Sequence, residues 1–259
     1  GLNVQLEGDG VQGDATLEGN EEALQFYDDA LYVDQLRHAT RTKGKMTEQR
    51  VPYNLRNVSR NRLSDWWAVR MDTSFFNQIC GNTAESRTKF TGNNATIAPS
   101  TNRIIRAGNQ ANDESLTSND IFTLDLIDIA RERAETASTG AGTGPLIRPI
   151  RHEGNDHYVM FLHDYQVTQL RTSTASGQWL DIQKSAMSGG DVTKNPIFTG
   201  AVGMYNGVIL HKASRVTNGV SSATGAAETD VRRAVLCGAQ AAIIAFGSDN
   251  GANRYSWNE

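Results

Sequence analysis

Residues 57–80 read NVSRNRLSDWWAVRMDTSFFNQIC. Leu63, Trp67, Met71, Phe75 and Ile79 recur every four residues, and Trp66, Phe76 and Cys80 widen the same face. That spacing predicts an amphipathic α-helix. Asn57 or Ser59 can cap its start, and Gly81 stands where a left-handed stop belongs. Some 23 residues at about 1.5 Å each make a rod of roughly 35 Å. Its aromatic face must pack on a sheet or on another helix. Cys80, on that face, reads as an inert core thiol rather than a nucleophile.

N-terminal to the rod the charges separate. Residues 1–34 hold nine acids and no Lys or Arg, whereas residues 35–70 hold nine bases against Glu48 and Asp65. The blocks carry −9 and +7 inside a chain of net charge −4. One reading is a hairpin whose acidic arm pairs with its basic arm within the chain, since opposite charges across strands are mildly favourable. The other is a projecting acidic arm that lies on the basic surface of a neighbouring copy, where complementary charge fixes register. Such a contact is heterologous and builds rings or lattices. Asp9, Asp14, Glu18, Glu21 and Glu22 on one side, and Arg37, Arg41, Lys43, Lys45 and Arg50 on the other, are the candidate interface residues. Leu2, Val4 and Leu6 alternate with polar residues as in a strand, Gly8-Asp9-Gly10 reads as a turn, and 11–16 and 24–36 read as further extended pieces. This acidic, Gly-rich opening cannot make its own core.

C-terminal to the rod, residues 82–118 are rich in Asn, Thr, Ser and Gly and read as a long surface excursion. A second helix is expected from Asp120, whose carboxylate suits a helix start, to about Ala137, with Phe122, Leu126, Ile129 and Ala130 on one face. Residues 138–144 (STGAGTG) read as a connector. Tyr158-Val159-Met160-Phe161-Leu162 reads as an apolar strand, 165–170 and 178–187 as short helices, 197–198 and 208–210 as strands, and 216–228 as a loop. Residues 231–246, the most apolar stretch, read as buried strand broken at Gly238.

Chemistry is hard to find. The length suits one large or two small domains, and no apolar run reaches the roughly 20 residues of a membrane helix. His152, Glu153, Asp156, His157, His163 and Asp164 crowd one region. However, His157 and His163 flank a strand that holds them about 20 Å apart, so no shared metal is expected. GAGTG at 140–144 follows a helix rather than a strand, unlike a dinucleotide loop. There is no phosphate loop and no G-x-S-x-G elbow. Cys80 and Cys237 form no C-x-x-C pattern, and the chain reads as reduced and intracellular. No enzyme activity, cofactor, metal or membrane partner is expected. Net acidity argues against a generic nucleic-acid binder.

Several segments carry a resemblance: LEGNEE (17–22), DQLRH (34–38), EQRVPY (48–53), FFNQ (75–78), WLDIQK (179–184), NPIFTG (195–200) and MYNG (204–207). In order along the chain they resemble the major capsid proteins of N4-type tailed bacteriophages, a family similar to the HK97-like shell proteins. The resemblance covers well over half of the chain. It implies an α+β capsid fold with a long spine helix, a β-sheet core and an extended N-terminal β-loop lying over an adjacent subunit. Residues 1–50 would be that loop, 51–156 a peripheral-domain part with the spine helix, and 157–259 an axial-domain part with the sheet. Relatives have sequence before the match to Gly1 and after Glu259, so the chain reads as trimmed at both ends. Asp164 stands where Pro is expected.

The implied function is a structural virion protein, made in the bacterial host cytoplasm. It would self-assemble as pentamers and hexamers into an icosahedral shell, with a scaffold or portal protein as partner and loose, sequence-independent contact with packaged double-stranded DNA. The alternatives are the encapsulin-like shell protein of a bacterial nanocompartment, or a non-catalytic ligand-binding or adhesive module.

Overall fold

The computed structural model describes residues 2–3, 8, 10–24, 26–27, 30–136, 147–152, 154–173 and 201–247. The expected connector at 138–144, the helix at 178–187, the strand at 197–198 and the WLDIQK and NPIFTG segments lie outside the described residues.

Its centre is the strand that the apolar run at 158–162 predicts, lengthened to Asn155–Leu162 (β4). β4 pairs in parallel with β6 (Val208–Lys212), and β6 pairs antiparallel with β5 (Ala201–Tyr205). Two short strands also meet β4 antiparallel: β3 (Ile150–His152) along its first residues and β9 (Val235–Cys237) along its later ones. Side chains on β4 alternate between two faces, as the period of a strand dictates. Tyr158, Met160 and Leu162 join Val208 and Leu210 of β6 against two helices on one side, α4 (Leu124–Thr136) and α5 (Asp164–Thr172). Phe161 points to the other side, where it meets Phe76, Cys80 and Val216.

That second layer is the end of the long rod, α2, which spans Leu55–Ile79. It starts two residues before the expected position. Asn54, not Asn57 or Ser59, is the cap: its Oδ1 accepts from the Arg56 and Asn57 amides at 3.0 and 3.3 Å. Gly81 ends it at φ +60°, and a Cβ there would lie 2.6 Å from Pro99 Cδ and 2.8 Å from the Ile97 carbonyl. Arg233 donates to the Cys80 and Gly81 carbonyls at 2.7 and 3.0 Å, placing a cation at the negative end of the helix. Burial along the rod is uneven. Phe76 and Asn77 are buried, whereas Leu63, Trp66, Trp67 and Met71 are only half-buried. The aromatic face expected to be wholly covered is covered mainly at its C-terminal end, because the sheet reaches only that far.

The excursion at 82–118 is a strap, not merely a surface loop. It contains a one-turn helix, α3 (Thr88–Thr91), and three short 3-10 turns. Asn77 and Gln78 side chains donate to the carbonyls of Phe90, Thr91 and Asn94 at 2.7–2.9 Å, which fastens the strap to the rod. Asp113, within it, is buried and accepts from Arg106 Nε at 2.8 Å, Arg233 at 3.2 Å and the Val220 amide at 2.9 Å.

Four further expectations need correction. The second helix starts at Leu124, and Asp120 closes the preceding turn instead, its Oδ2 accepting from the Thr117 amide and hydroxyl. Its buried face is Leu124, Ile127 and Ala134, with Phe122 and Ala130 alongside and Ile129 exposed. The loop expected at 216–228 contains a hairpin, β7 (Asn218–Val220) with β8 (Ala227–Arg232), tied to the strap by Ser222 on Glu114 at 2.6 Å. The apolar run at 231–246 is strand only through Cys237. Beyond it a Cβ on Gly238 would lie 2.3 Å from the Arg148 carbonyl, so the chain crosses residues 147–148 there, and Ile243, Ile244 and Phe246 are exposed. Close approach of two backbones, which only glycine permits, takes the chain out of the sheet that hydrophobicity alone suggests.

Candidate functional site

The ten candidate interface residues belong to the segment before α2. Its described strands are two residues each, β1 (Leu2–Asn3) and β2 (Phe26–Tyr27), paired antiparallel. They close a loop whose described part, 10–24, has no regular structure. The segment is thus a short β stem with a long tip, and a one-and-a-half-turn helix, α1 (Lys45–Arg50), stands where a loop continuous to residue 50 is expected.

Turn chemistry shapes the tip. The Asn20 amide donates to the Leu17 carbonyl at 3.0 Å, Glu21 accepts from the Gly19 amide at 2.7 Å, and Glu22 accepts from the Gly8 amide at 2.8 Å. Two of the candidate acids therefore hold the loop's own backbone. Asp14, Glu18, Glu21 and Glu22 are all exposed, and so are Leu17 and Leu24 at 64% and 66%. Asp9 lies outside the described residues.

Arg37, Arg41, Lys43, Lys45 and Arg50 are likewise exposed. The first three lie in an irregular stretch and the last two on α1. This return segment touches the body at its start: the Tyr32 amide donates to Asn94 Oδ1 at 3.0 Å, and the His38 ring stacks on Trp66 at 4.2 Å. Arg70 covers the same Trp66 ring at 5.4 Å and donates to the Thr88 carbonyl. His38 and Trp66 are a pair that charge and periodicity did not signal. The arm is anchored on its own rod near residue 38, and among the candidate residues it displays acids up to Glu22 and bases from Arg37 on.

Among the described residues the remaining surface offers little chemistry. A cleft of about 1290 Å³ lies between the strap, α4 and the 230–241 segment. Its Arg106 and Arg233 are both bonded to Asp113, and burial pushes up both its thiols, that of Cys237 to about 11. Those are structural groups, not activated ones. Among the described residues no group of three or more His, Cys, Asp or Glu could hold a metal ion, and no helix is long and apolar enough to cross a membrane. His163 has a structural part: its Nδ1 accepts from the Tyr165 amide at 3.2 Å and caps α5.

The arm is thus exposed and charge-separated on a two-layer body. Comparison with known proteins gives the family. The major capsid protein of Pseudomonas phage KPP25 is 31% identical over 264 residues, covering 93% of this chain and 67% of that protein. The capsid of Ralstonia phage GP4 matches with a TM-score of 0.70 and 32% identity over 83% of this chain and 60% of that one. The head structure of Helicobacter pylori bacteriophage KHP40 shares the fold at a TM-score of 0.52 and 18% identity, covering 82% of this chain and half of that one. The chain thus spans about two thirds of the first relative and less of the others. The phage capsid protein family matches residues 1–259, from end to end, and the chain belongs to that family.

Proposed function

We propose that the chain is a structural head protein of the N4 type that self-associates into an icosahedral shell around phage double-stranded DNA. The observation that carries this is the family match along the whole chain. The structure adds a physical means. Four described acids of the tip and five bases of the return segment are exposed on one molecule. Laid on the next copy, the tip's Asp14, Glu18, Glu21 and Glu22 face Arg37, Arg41, Lys43, Lys45 and Arg50, with Leu17 and Leu24 supplying apolar contact. Each contact is modest and salt-sensitive, and repetition by symmetry makes it sufficient. A scaffold or portal protein and loose DNA contact complete the reading, with the virion as its destination after synthesis in the host cytoplasm.

Reversing Arg41, Lys43 and Lys45 to Glu tests the arm. Particles seen by negative-stain microscopy should be lost, while the melting temperature of the dissociated protein stays within about a degree, since exposed charges contribute little to a fold. Reversing Asp14, Glu18 and Glu21 to Lys in the same chain should restore particles. Persistence of particles in the first variant would contradict the proposed pairing, and so would a large fall in melting temperature, which places the pairing inside one chain. Particles that enclose an enzyme instead of DNA would favour the nanocompartment alternative.

A further inference from the structure

The part of α2 that stands clear of the sheet carries a second pattern. At about 100° per residue, Val58, Arg62, Asp65 and Val69 fall within roughly 60° of arc. All four are exposed: the valines at 41% and 47%, the Arg62 and Asp65 side chains at 78% and 69%. Phe76 and Cys80 continue the same arc toward the C-terminal end, where the sheet covers it, and residues 58–69 lie N-terminal to that cover, where the arc is open. The order of the four residues reads the same in charge-complementary form from either end. Val58 and Val69 lie equally far from the point between Leu63 and Ser64, and so do Arg62 and Asp65.

A second copy of the helix turned end over end about that point therefore brings Arg62 opposite Asp65 of the second copy, and Asp65 opposite its Arg62. Val58 meets Val69 of the second copy, and the reverse. Two ion pairs and two valine pairs form at once, with no like charges opposed. Within one chain Arg62 and Asp65 are 3.7 Å apart and largely solvated, a pairing that contributes little and exchanges readily. Valine is small enough for two helix axes to approach to the usual 8–10 Å or so.

We propose that this stripe is a two-fold self-association surface, on which α2 of one copy lies antiparallel on α2 of a second copy. It deepens the shell-subunit reading and rests on it. The arm makes a heterologous, head-to-tail contact, and the stripe makes an isologous one, so the two join copies in different directions. Four valine side chains are too few for a stable isolated dimer. The contact is weak alone and gains from repetition.

The test uses Arg62→Glu and Asp65→Arg separately and mixed. Each variant alone opposes like charges at both positions. In a one-to-one mixture the R62E chain presents two acids to the two bases of the D65R chain, and unlike charges meet again. By sedimentation at low salt, each variant alone should associate roughly tenfold more weakly than the unmodified protein, and the mixture should recover to within about threefold. Mixing cannot repair an effect confined to one helix. Singles that associate like the unmodified protein, or a mixture no stronger than its components, would overturn the two-fold contact. A second readout is cross-linking: a short bismaleimide should couple V58C chains to V69C chains and couple neither to itself, the native thiols being buried. Coupling of either variant to itself counts against the antiparallel register. If the unmodified protein stays monomeric at every concentration, the shell-subunit reading fails with it. If it assembles and the mixture does not recover, only the stripe fails.

Discussion

The two ends of α2 belong to different worlds. Its last turns are packed: Phe76 and Cys80 lie against Phe161 and Val216, and Arg233 and the strap close the helix end. Its first turns stand clear of the sheet, carry Arg56, Arg60 and Arg62, and expose Val58. One helix thus serves as a core element at one end and as a surface element at the other. The lesson is that a continuous apolar period does not imply continuous burial within one chain. What a single body leaves uncovered, in a family of shell proteins, is available to the next copy.

The sharpest way to break this contrast is substitution along the rod and its layer. Leu162→Ala in the central strand should cost about 4 kcal/mol, and Phe76→Ala at the packed end of α2 about 3–4 kcal/mol, by chemical denaturation. Val58→Ala at the exposed end should stay within about 0.5 kcal/mol. Equal losses at residues 58 and 76 would mean that the rod is packed along its whole length. Asp113→Asn removes the buried charge that holds Arg106, Arg233 and the Val220 amide together, and should cost about 3 kcal/mol.

Acid should act on the body in two steps. Burial raises the pKa of Asp113, but the Val220 amide, Arg106 and Arg233 outweigh it, and the net pKa is depressed. Its contribution is complete above the unfolded carboxylate value of about 3.9 and is lost as pH falls through the lower folded value. His163 is also depressed, by burial first and then by Arg232, with Asp164 opposing. Neutral His163 caps α5, so its contribution is complete above about 6.5 and is lost as pH falls through the folded value. The milder acid step therefore belongs to His163, at about 1 kcal/mol, the usual worth of a cap. His163→Asn, which can cap without titrating, should flatten that step in melting temperature against pH and leave the Asp113 step in place. The smallest expected effect on stability is that of the Arg41, Lys43 and Lys45 reversals, which should show in assembly alone.

Much of this was legible in the sequence where a period and a partner coincide. The rod, β4 and α5 follow from spacing, because their apolar positions meet the core that spacing anticipates. The segments that misled did so for identifiable reasons. Ala241 to Phe246 is apolar but follows Gly238, whose backbone contact with Arg148 takes the chain away from the sheet. Residues 216–228 look too polar for strands, yet Asp113 and Glu114, distant in sequence, supply the hydrogen bonds that dock the hairpin. Asp120 looks like a helix start and is instead held by Thr117. For the candidate interface the charge blocks were plain, while the anchoring of the return segment through His38 on Trp66 depended on a contact across 28 positions that no local pattern encodes. The valines of the exposed stripe were visible too, eleven residues apart, but they stood out only once the extent of burial along the rod was known.

Hydrogen exchange compared between the dissociated and the assembled protein tests the central claim most directly. Assembly should add protection at residues 10–50 and along the outer half of α2, 55–70, and leave β4 and β6, already protected by the core, nearly unchanged. Protection gained only elsewhere, with the arm and the outer half of α2 exchanging as fast in particles as in solution, would contradict it.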